Sequence, residues 1–166
     1  MGHGDRELAD GDLKDLLRLS ESFGFHLAAL DVRQESTRHT EAVAELLATC
    51  DVSDAYATLD EEAKLTLLSQ LIHGEIACAI PRTELSESTS EVVELFFNIA
   101  ELRSEVATER IGQYVISMTH EASHILEVTW LASLAGLCDF GATVRNELGV
   151  VPLFETIDDL QRVERC

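Results

Sequence analysis

The stretch QYVISMTHEASHILEVTWLASLAG, residues 113–136, changes its hydrophobic periodicity partway along. Its first part, YVISM at 114–118, is a short run with β-branched residues of the kind found in buried strands. From Ile125 onward the apolar residues recur with helical spacing, and Gly136 ends the pattern. The stretch therefore predicts a strand that leads directly into a helix.

The same order of strand and helix occurs towards both ends of the chain. An apolar run at 25–33 ends at charged residues, and a helical pattern follows at 38–49. A second run at 149–154 precedes Thr156 and Asp159, which have the spacing of a helix capping box. With the strand at 113–118, this alternation predicts three parallel strands in an α/β fold that is predominantly helical.

Further helices are expected outside these units. Apolar spacing predicts helices at 12–23 and 60–73. Another helix is expected to begin at Ser88, which has capping-box spacing with Glu91. Since no repeat or low-complexity linker marks a boundary, we expect residues 1–166 to belong to a single domain.

The composition limits the classes of partner. The 166 residues include 31 acidic and 12 basic side chains, which gives a formal net charge of −19. Such a surface repels phosphate backbones and anionic lipid headgroups, so neither a nucleic acid nor a membrane is expected as a partner. No apolar run approaches the roughly 18 residues of a spanning helix.

The cysteines predict a reducing compartment. The chain has four of them, Cys50, Cys78, Cys138 and Cys166, widely spaced and without a CxxC pair. Nothing at the N-terminus resembles a signal peptide. We therefore expect reduced thiols and a cytoplasmic location.

Polar residues follow each of the three predicted strands. They are RQES at 33–36, SMTH at 117–120 and FET at 154–156. The carboxyl ends of parallel strands meet at one edge, and in parallel barrels the catalytic groups gather there. The sequence therefore predicts an active-site rim made from these three segments.

Three motifs carry a resemblance to a known family. They are LDVRQESTRHT at 30–40, YVISMTHEASHILEV at 114–128 and VVPLFETIDDL at 150–160. In this order and spacing the chain, from about Ala9 to Glu164, resembles an internal segment of phosphoenolpyruvate carboxylase. The resemblance implies that the three strands are part of a (β/α)8 barrel and that residues 1–166 form a partial domain.

The resemblance also implies an activity. Enzymes of this family are lyases that combine phosphoenolpyruvate with bicarbonate to give oxaloacetate and phosphate, using Mg²⁺ or Mn²⁺. They fix carbon dioxide, replenish the tricarboxylic acid cycle and form homotetramers when complete. The family's catalytic histidine lies upstream of this segment, and its second metal carboxylate, catalytic lysine and glycine-rich loop lie downstream. The segment alone is therefore expected to be inactive.

The resemblance assigns two ligand-binding residues. Arg33 would bind the substrate phosphate, which suits a planar guanidinium. Glu155 would bind the metal, which suits a hard oxygen ligand. Without the resemblance, Arg33 could instead pair with a carboxylate such as Glu35, and Glu155 could be a carboxylate in the first turn of a helix. Lesser rim positions are expected at Gln34, Glu35, Ser117 and His120.

Two alternative functions remain open at this point. His120, Glu121 and His124 spell HExxH, the pattern in which two histidines one helical turn apart bind zinc and the glutamate acts as a base. A zinc hydrolase would need a third ligand, for which Glu147 and Glu155 are candidates. The segment could also persist as a non-catalytic scaffold that binds a partner.

Overall fold

The computed structural model describes residues 11–23, 29–78, 85–105, 111–140 and 144–162. The α-helices in these ranges are α1 (Asp12–Phe23), α2 (Ser36–Thr49), α3 (Glu61–Ile72), α4 (Glu87–Glu105), α5 (Ser123–Leu134) and α6 (Ile157–Arg162). The strands are β1 (Leu30–Glu35), β2 (Ile111–Ser117), β3 (Cys138–Asp139), β4 (Arg145–Asn146) and β5 (Gly149–Pro152). A short 3-10 helix occupies Tyr56–Thr58.

A parallel three-stranded sheet forms the centre, with the strand order β1-β2-β5. Glu35 lies opposite Ser117, and Ile116 lies opposite Pro152, so all three strands end at the same edge. The prediction of an α/β fold with three parallel strands is confirmed. Strands β3 and β4 form a separate antiparallel pair, which the sequence did not indicate.

The first strand is displaced from its predicted position. Residues 25–28 lie outside the described residues, and β1 runs from Leu30 through the charged residues to Glu35. Placing the strand end at Arg33 was wrong, because pairing of β1 with β2 continues to Ser117. Backbone pairing here outweighs the polar character of the side chains, which a hydrophobicity pattern cannot register.

Local contacts define the ends of several helices. Asp60 caps α3 by accepting the Ala63 N–H at 2.9 Å. Gly74, behind the same helix, has a φ of 72°, a conformation that favours glycine. Helix α4, however, begins at Glu87, so the predicted start at Ser88 was wrong. Ser86 occupies the capping position and accepts the Thr89 N–H at 3.3 Å.

The core lies between the sheet and the helices. Helix α2 packs on α4 and α5, and α3 packs on α5. Most of the largest fully buried apolar side chains come from these helices, from β2 and from the 3-10 helix, and they include Leu46, Tyr56, Phe96, Tyr114 and Trp130. Helix α1 contributes no buried residue. None of the helices described is long and apolar enough to cross a membrane.

A disulfide joins Cys50 to Cys78, with their Cα atoms 5.4 Å apart. The prediction of reduced thiols was therefore wrong for this pair. Twenty-eight residues separate the two cysteines, and only the packing of the intervening segment brings them together. Cys138 is a free, buried thiol as predicted, and Cys166 lies outside the described residues.

Candidate functional site

The two principal candidates meet at the carboxyl edge of the sheet. The Arg33 Nη2 atom lies 3.1 Å from the Glu155 Oε1 atom, although 122 residues separate them in the chain. Their side chains are 59% and 34% exposed, so the pair lies at the surface of the rim. The carboxylate partner of Arg33 is thus Glu155 and not Glu35.

The second oxygen of Glu155 is held by the backbone. The Met118 N–H donates to Glu155 Oε2 at 2.8 Å. Met118 has a φ of 54°, in the left-handed region that few residues other than glycine adopt. The buried hydroxyl of Ser36 donates to the Met118 carbonyl at 2.7 Å and so stabilises this turn. Glu155 precedes α6 by two residues and therefore is not a first-turn helix carboxylate.

Backbone hydrogen bonds extend the sheet into the loops. The Leu153 N–H donates to the Ile116 carbonyl at 2.8 Å, and the Thr119 N–H donates to the Leu153 carbonyl at 3.1 Å. The Ser117 hydroxyl donates to the Gln34 carbonyl at 3.3 Å. The segments after β2 and β5 are therefore joined at Leu153, two residues before Glu155.

A histidine and an aspartate also link these two segments. His120 Nδ1 lies 2.7 Å from Asp159 Oδ1. Asp159 Oδ2 accepts the Thr156 N–H, and the Thr156 hydroxyl accepts the Asp159 N–H, both at 3.1 Å. This is the predicted capping box. Hydrogen bonds from Thr156 and then His120 lower the pKa of Asp159 to about 2, so the side chain is a carboxylate at neutral pH.

A layer of buried polar groups lies beneath the rim. The Thr40 and Tyr56 hydroxyls both donate to the fully buried Glu127 carboxylate, at 2.8 and 2.9 Å. Burial raises the pKa of Glu127 to about 7. His39 Nε2 lies 2.8 Å from the Tyr114 hydroxyl, and burial followed by the charges of nearby groups lowers the pKa of His39 to about 3. We did not predict Glu127, although a glutamate within the apolar run of 125–132 was the available signal.

The family model for phosphoenolpyruvate carboxylase matches residues 1–166. The chain belongs to this family. A phosphoenolpyruvate carboxylase of Thermosynechococcus vestitus is 42% identical over 162 residues, which cover 93% of this chain and 15% of that protein. Phosphoenolpyruvate carboxylases of Ralstonia nicotianae and Rhodopseudomonas palustris are 38% and 39% identical, over 96% and 93% of this chain and 16% of each relative. The chain thus spans about one sixth of these relatives' length, and the resemblance to an internal segment is confirmed.

Membership of the phosphoenolpyruvate carboxylase family fits the rim better than the zinc pattern does. Helix α5 begins at Ser123, so His120 and Glu121 lie before the helix. His120 and His124 are therefore not one turn apart on a helix, as the zinc pattern requires. The His120 N–H donates to His124 Nδ1 at 3.3 Å, a contact that joins the segment before the helix to its first turn. Among the described residues no group of three His, Cys, Asp or Glu side chains could hold a metal ion. The zinc hydrolase alternative is not supported.

The lesser rim candidates of this carboxylase segment differ in their surroundings. Glu35 is exposed and lies two residues from Arg33, on the same face of β1. Gln34 is half-buried and faces the opposite side of the strand. Ser117 is largely buried and bonded to backbone, whereas the His120 side chain is 36% exposed. Glu35 and His120 therefore remain accessible from the rim, and Ser117 is a supporting group.

Proposed function

We propose that this chain contributes part of the active site of a phosphoenolpyruvate carboxylase. The complete enzyme would combine phosphoenolpyruvate with bicarbonate and release oxaloacetate and phosphate. The ion pair between Arg33 and Glu155 carries the proposal, because it joins a candidate phosphate ligand to a candidate metal ligand at the carboxyl edge of a parallel sheet. Active sites of (β/α)8 barrels lie at that edge, and β1, β2 and β5 would be three strands of such a barrel.

Arg33 would bind the phosphate group of the substrate. Its guanidinium is planar and can hold two phosphate oxygens at once. Its Nη2 atom contacts one oxygen of Glu155, which a phosphate oxygen would replace. With a formal net charge of −19 on the chain, a cation placed at the rim is needed to attract an anionic substrate.

Glu155 would contribute one ligand to Mg²⁺ or Mn²⁺. Both ions prefer hard oxygen ligands, and bound at the site they would supply a Lewis acid that polarises substrate oxygens. Among the described residues, Glu155 is not part of a group of three or more His, Cys, Asp or Glu side chains that could hold a metal ion. The remaining ligands would come from parts of the family's sequence that this chain does not span.

The other rim residues would shape the site around these two groups. Glu35 and His120 would limit the space beside Arg33, while Gln34 and Ser117 would support the strand ends through the bond between the Ser117 hydroxyl and the Gln34 carbonyl. The complete protein would be a cytoplasmic homotetramer, with residues 1–166 as one part of its barrel domain. By itself the chain is expected to bind phosphoenolpyruvate weakly and to form no oxaloacetate.

A chimeric enzyme would test the proposal. Residues 30–160 of this chain would replace the matching segment of the Thermosynechococcus vestitus carboxylase, to which the chain is 42% identical. The chimera should form oxaloacetate. Arg33→Ala in the chimera should raise the KM for phosphoenolpyruvate by about tenfold or more, as expected for loss of a charged hydrogen bond. Glu155→Gln should raise the Mn²⁺ concentration needed for half-maximal activity.

A matched control separates these effects from general damage. Arg38 lies in the first turn of α2 and forms a surface ion pair with Glu91 of α4 at 2.7 Å. Arg38→Ala therefore removes an arginine and an ion pair without removing a rim cation. An active chimera in which Arg33→Ala and Arg38→Ala had the same KM for phosphoenolpyruvate would contradict the proposal.

A further inference from the structure

The position of Glu155 depends on two loops. It lies in the loop between β5 and α6, and its carboxylate is held by the Met118 N–H from the loop between β2 and α5. Any displacement of one loop against the other would lengthen that 2.8 Å hydrogen bond. The contacts that join the two loops therefore decide where the Glu155 carboxylate lies.

One of these contacts depends on two side chains. The bond from the Thr119 N–H to the Leu153 carbonyl uses backbone atoms, which most substitutions would leave in place. The contact between His120 Nδ1 and Asp159 Oδ1 needs both a ring nitrogen and a carboxylate. With its Nδ1–H donating, His120 can hold Asp159 across the gap between the loops.

Asp159 links His120 to the backbone next to Glu155. While Oδ1 contacts His120, Oδ2 accepts the N–H of Thr156, the residue that directly follows Glu155. Asp159 is only 1% exposed, so water does not compete freely for these bonds. The chain of contacts runs from His120 through Asp159 to Thr156 and so to the backbone of Glu155.

We infer that His120 and Asp159 are positioning residues that hold the Glu155 carboxylate against Met118 and Arg33. Neither residue has to touch a substrate or a metal for this role. The inference extends the proposed function by naming what orients its metal carboxylate. The contacts themselves exist in the chain without any ligand, so they can be tested without carboxylase activity.

The composition of the chain supplies specific probes for this test. The sequence has two methionines, Met1 and Met118, and two tyrosines, Tyr56 and Tyr114. Labelling the 166-residue protein with 15N-methionine and 15N-tyrosine therefore gives very few amide signals in an NMR spectrum. Met118 reports on the bond to Glu155, and the two buried tyrosines report on the core. Glu155→Gln identifies the Met118 signal by shifting it.

Loss of the histidine should affect the rim and not the core. In His120→Ala the Met118 amide should shift towards its unbonded position and exchange with solvent about tenfold faster. The Tyr56 and Tyr114 amides should exchange as in the unsubstituted protein. His120→Gln, which keeps a side-chain donor, should restore most of the Met118 protection. His73→Ala, an exposed histidine behind α3, should change none of these signals.

A second variant keeps the test decisive if His120→Ala fails to fold. Asp159→Asn can accept only one of the two bonds that the carboxylate accepts, so it should loosen Met118 while the tyrosine amides stay protected. An unchanged Met118 signal in either folded variant would overturn the inference, as would equal acceleration of Met118 and both tyrosines. His120→Ala could change the Met118 amide signal and yet leave unchanged the Mn²⁺ concentration that the chimera needs for half-maximal activity. In that case the positioning role of His120 stands and the metal role of Glu155 fails.

Discussion

Arg33 and Glu155 form an ion pair, so each side chain must release the other before it can bind a ligand. Each side chain satisfies part of the other's charge at 3.1 Å. A phosphate that binds Arg33 must displace a carboxylate, and a cation that binds Glu155 must displace a guanidinium. A partly exposed ion pair of this kind contributes up to about 1 kcal/mol.

Removing the charge of Glu155 should therefore strengthen anion binding by the chain. We expect Glu155→Gln to bind inorganic phosphate more tightly, by up to about fivefold, since the competing pair is worth no more than that. Phosphate titrations followed by 31P NMR would measure the change. Adding Arg33→Ala to Glu155→Gln should abolish the gain, and a gain that survives in the double variant would show that phosphate binds elsewhere.

Glu127 makes the stability of the fold depend on pH. Its pKa is raised to about 7, first by burial, while hydrogen bonds from Thr40 and Tyr56 act in the opposite direction. An acid with a raised pKa in the folded state contributes stability that is present below its unfolded pKa. That contribution is lost as the pH rises from about 4.5 to 7, because the glutamate of the unfolded chain ionises over this range while the buried side chain keeps its proton.

Glu127→Gln should remove this dependence. From pH 4.5 to 7 the free energy of unfolding of the unsubstituted protein should fall by about 2 to 3 kcal/mol relative to that of the variant. Above pH 7.5 the difference between the two free energies should stay constant. Urea unfolding at several pH values would measure it. Glu62→Gln, an exposed glutamate on α3, is the matched control. Parallel pH profiles for Glu127→Gln and the unsubstituted protein would contradict the assignment.

At the scale of helices and strands, local signals were reliable where the contacts are local. The capping box of α6 joins Thr156 and Asp159, three positions apart, and it was read correctly. The Asp60 cap of α3 likewise joins residues three positions apart. Helix α4 starts earlier than predicted. The N–H and hydroxyl of Ser86 both donate to Glu45 of α2, a distant contact that the local spacing of Ser88 and Glu91 could not reveal.

The disulfide is another contact between elements, and it should stabilise them strongly. It ties the end of α2 to the segment after α3, and between them lie Tyr56 and Glu61. Tyr56 donates to Glu127, and Glu61 accepts the N–H and hydroxyl of Ser123 at the start of α5, both at 2.7 Å. The bridge therefore restrains a segment that supports the helix behind the rim.

Breaking this bridge should lower the free energy of unfolding. Closing a loop of 28 residues restricts the unfolded chain by about 3 to 4 kcal/mol in the chain-entropy description. We expect a loss of this order in Cys50→Ser/Cys78→Ser, measured by urea unfolding. Dithiothreitol should destabilise the unsubstituted protein and a Cys138→Ala variant, but not the double variant. An equal response of the double variant to dithiothreitol would show that the bridge is not the cause.

For the whole molecule, the sequence was informative about which residues form the rim and less so about what holds it. Arg33 and Glu155 were predicted from motifs at strand ends, and the parallel sheet brings these ends together. Met118 was not predicted, because a left-handed φ in a methionine has no signature in the sequence. His120 was predicted as a rim residue and Asp159 as part of a capping box, but the contact between them depends on how two loops pack and was not predicted.

Helix α1 shows another limit of prediction from the sequence. Its periodicity predicted an amphipathic helix at 12–23, and the helix is present, but none of its residues is buried. Leu16 and Leu17 are 62% and 55% exposed. Periodicity reveals that a face is apolar, whereas the identity of the surface that covers it depends on the rest of the assembly.

This face should make the isolated chain associate with itself. Exposed apolar side chains that adjoin on one helix face favour contact between molecules. We expect Leu16→Lys/Leu17→Lys to reduce association in light scattering at increasing protein concentration, and to leave the unfolding midpoint unchanged because neither residue is buried. Ser20→Lys/Ser22→Lys adds the same charge on exposed positions of α1. If this control reduced association equally, net charge and not the apolar face would govern it.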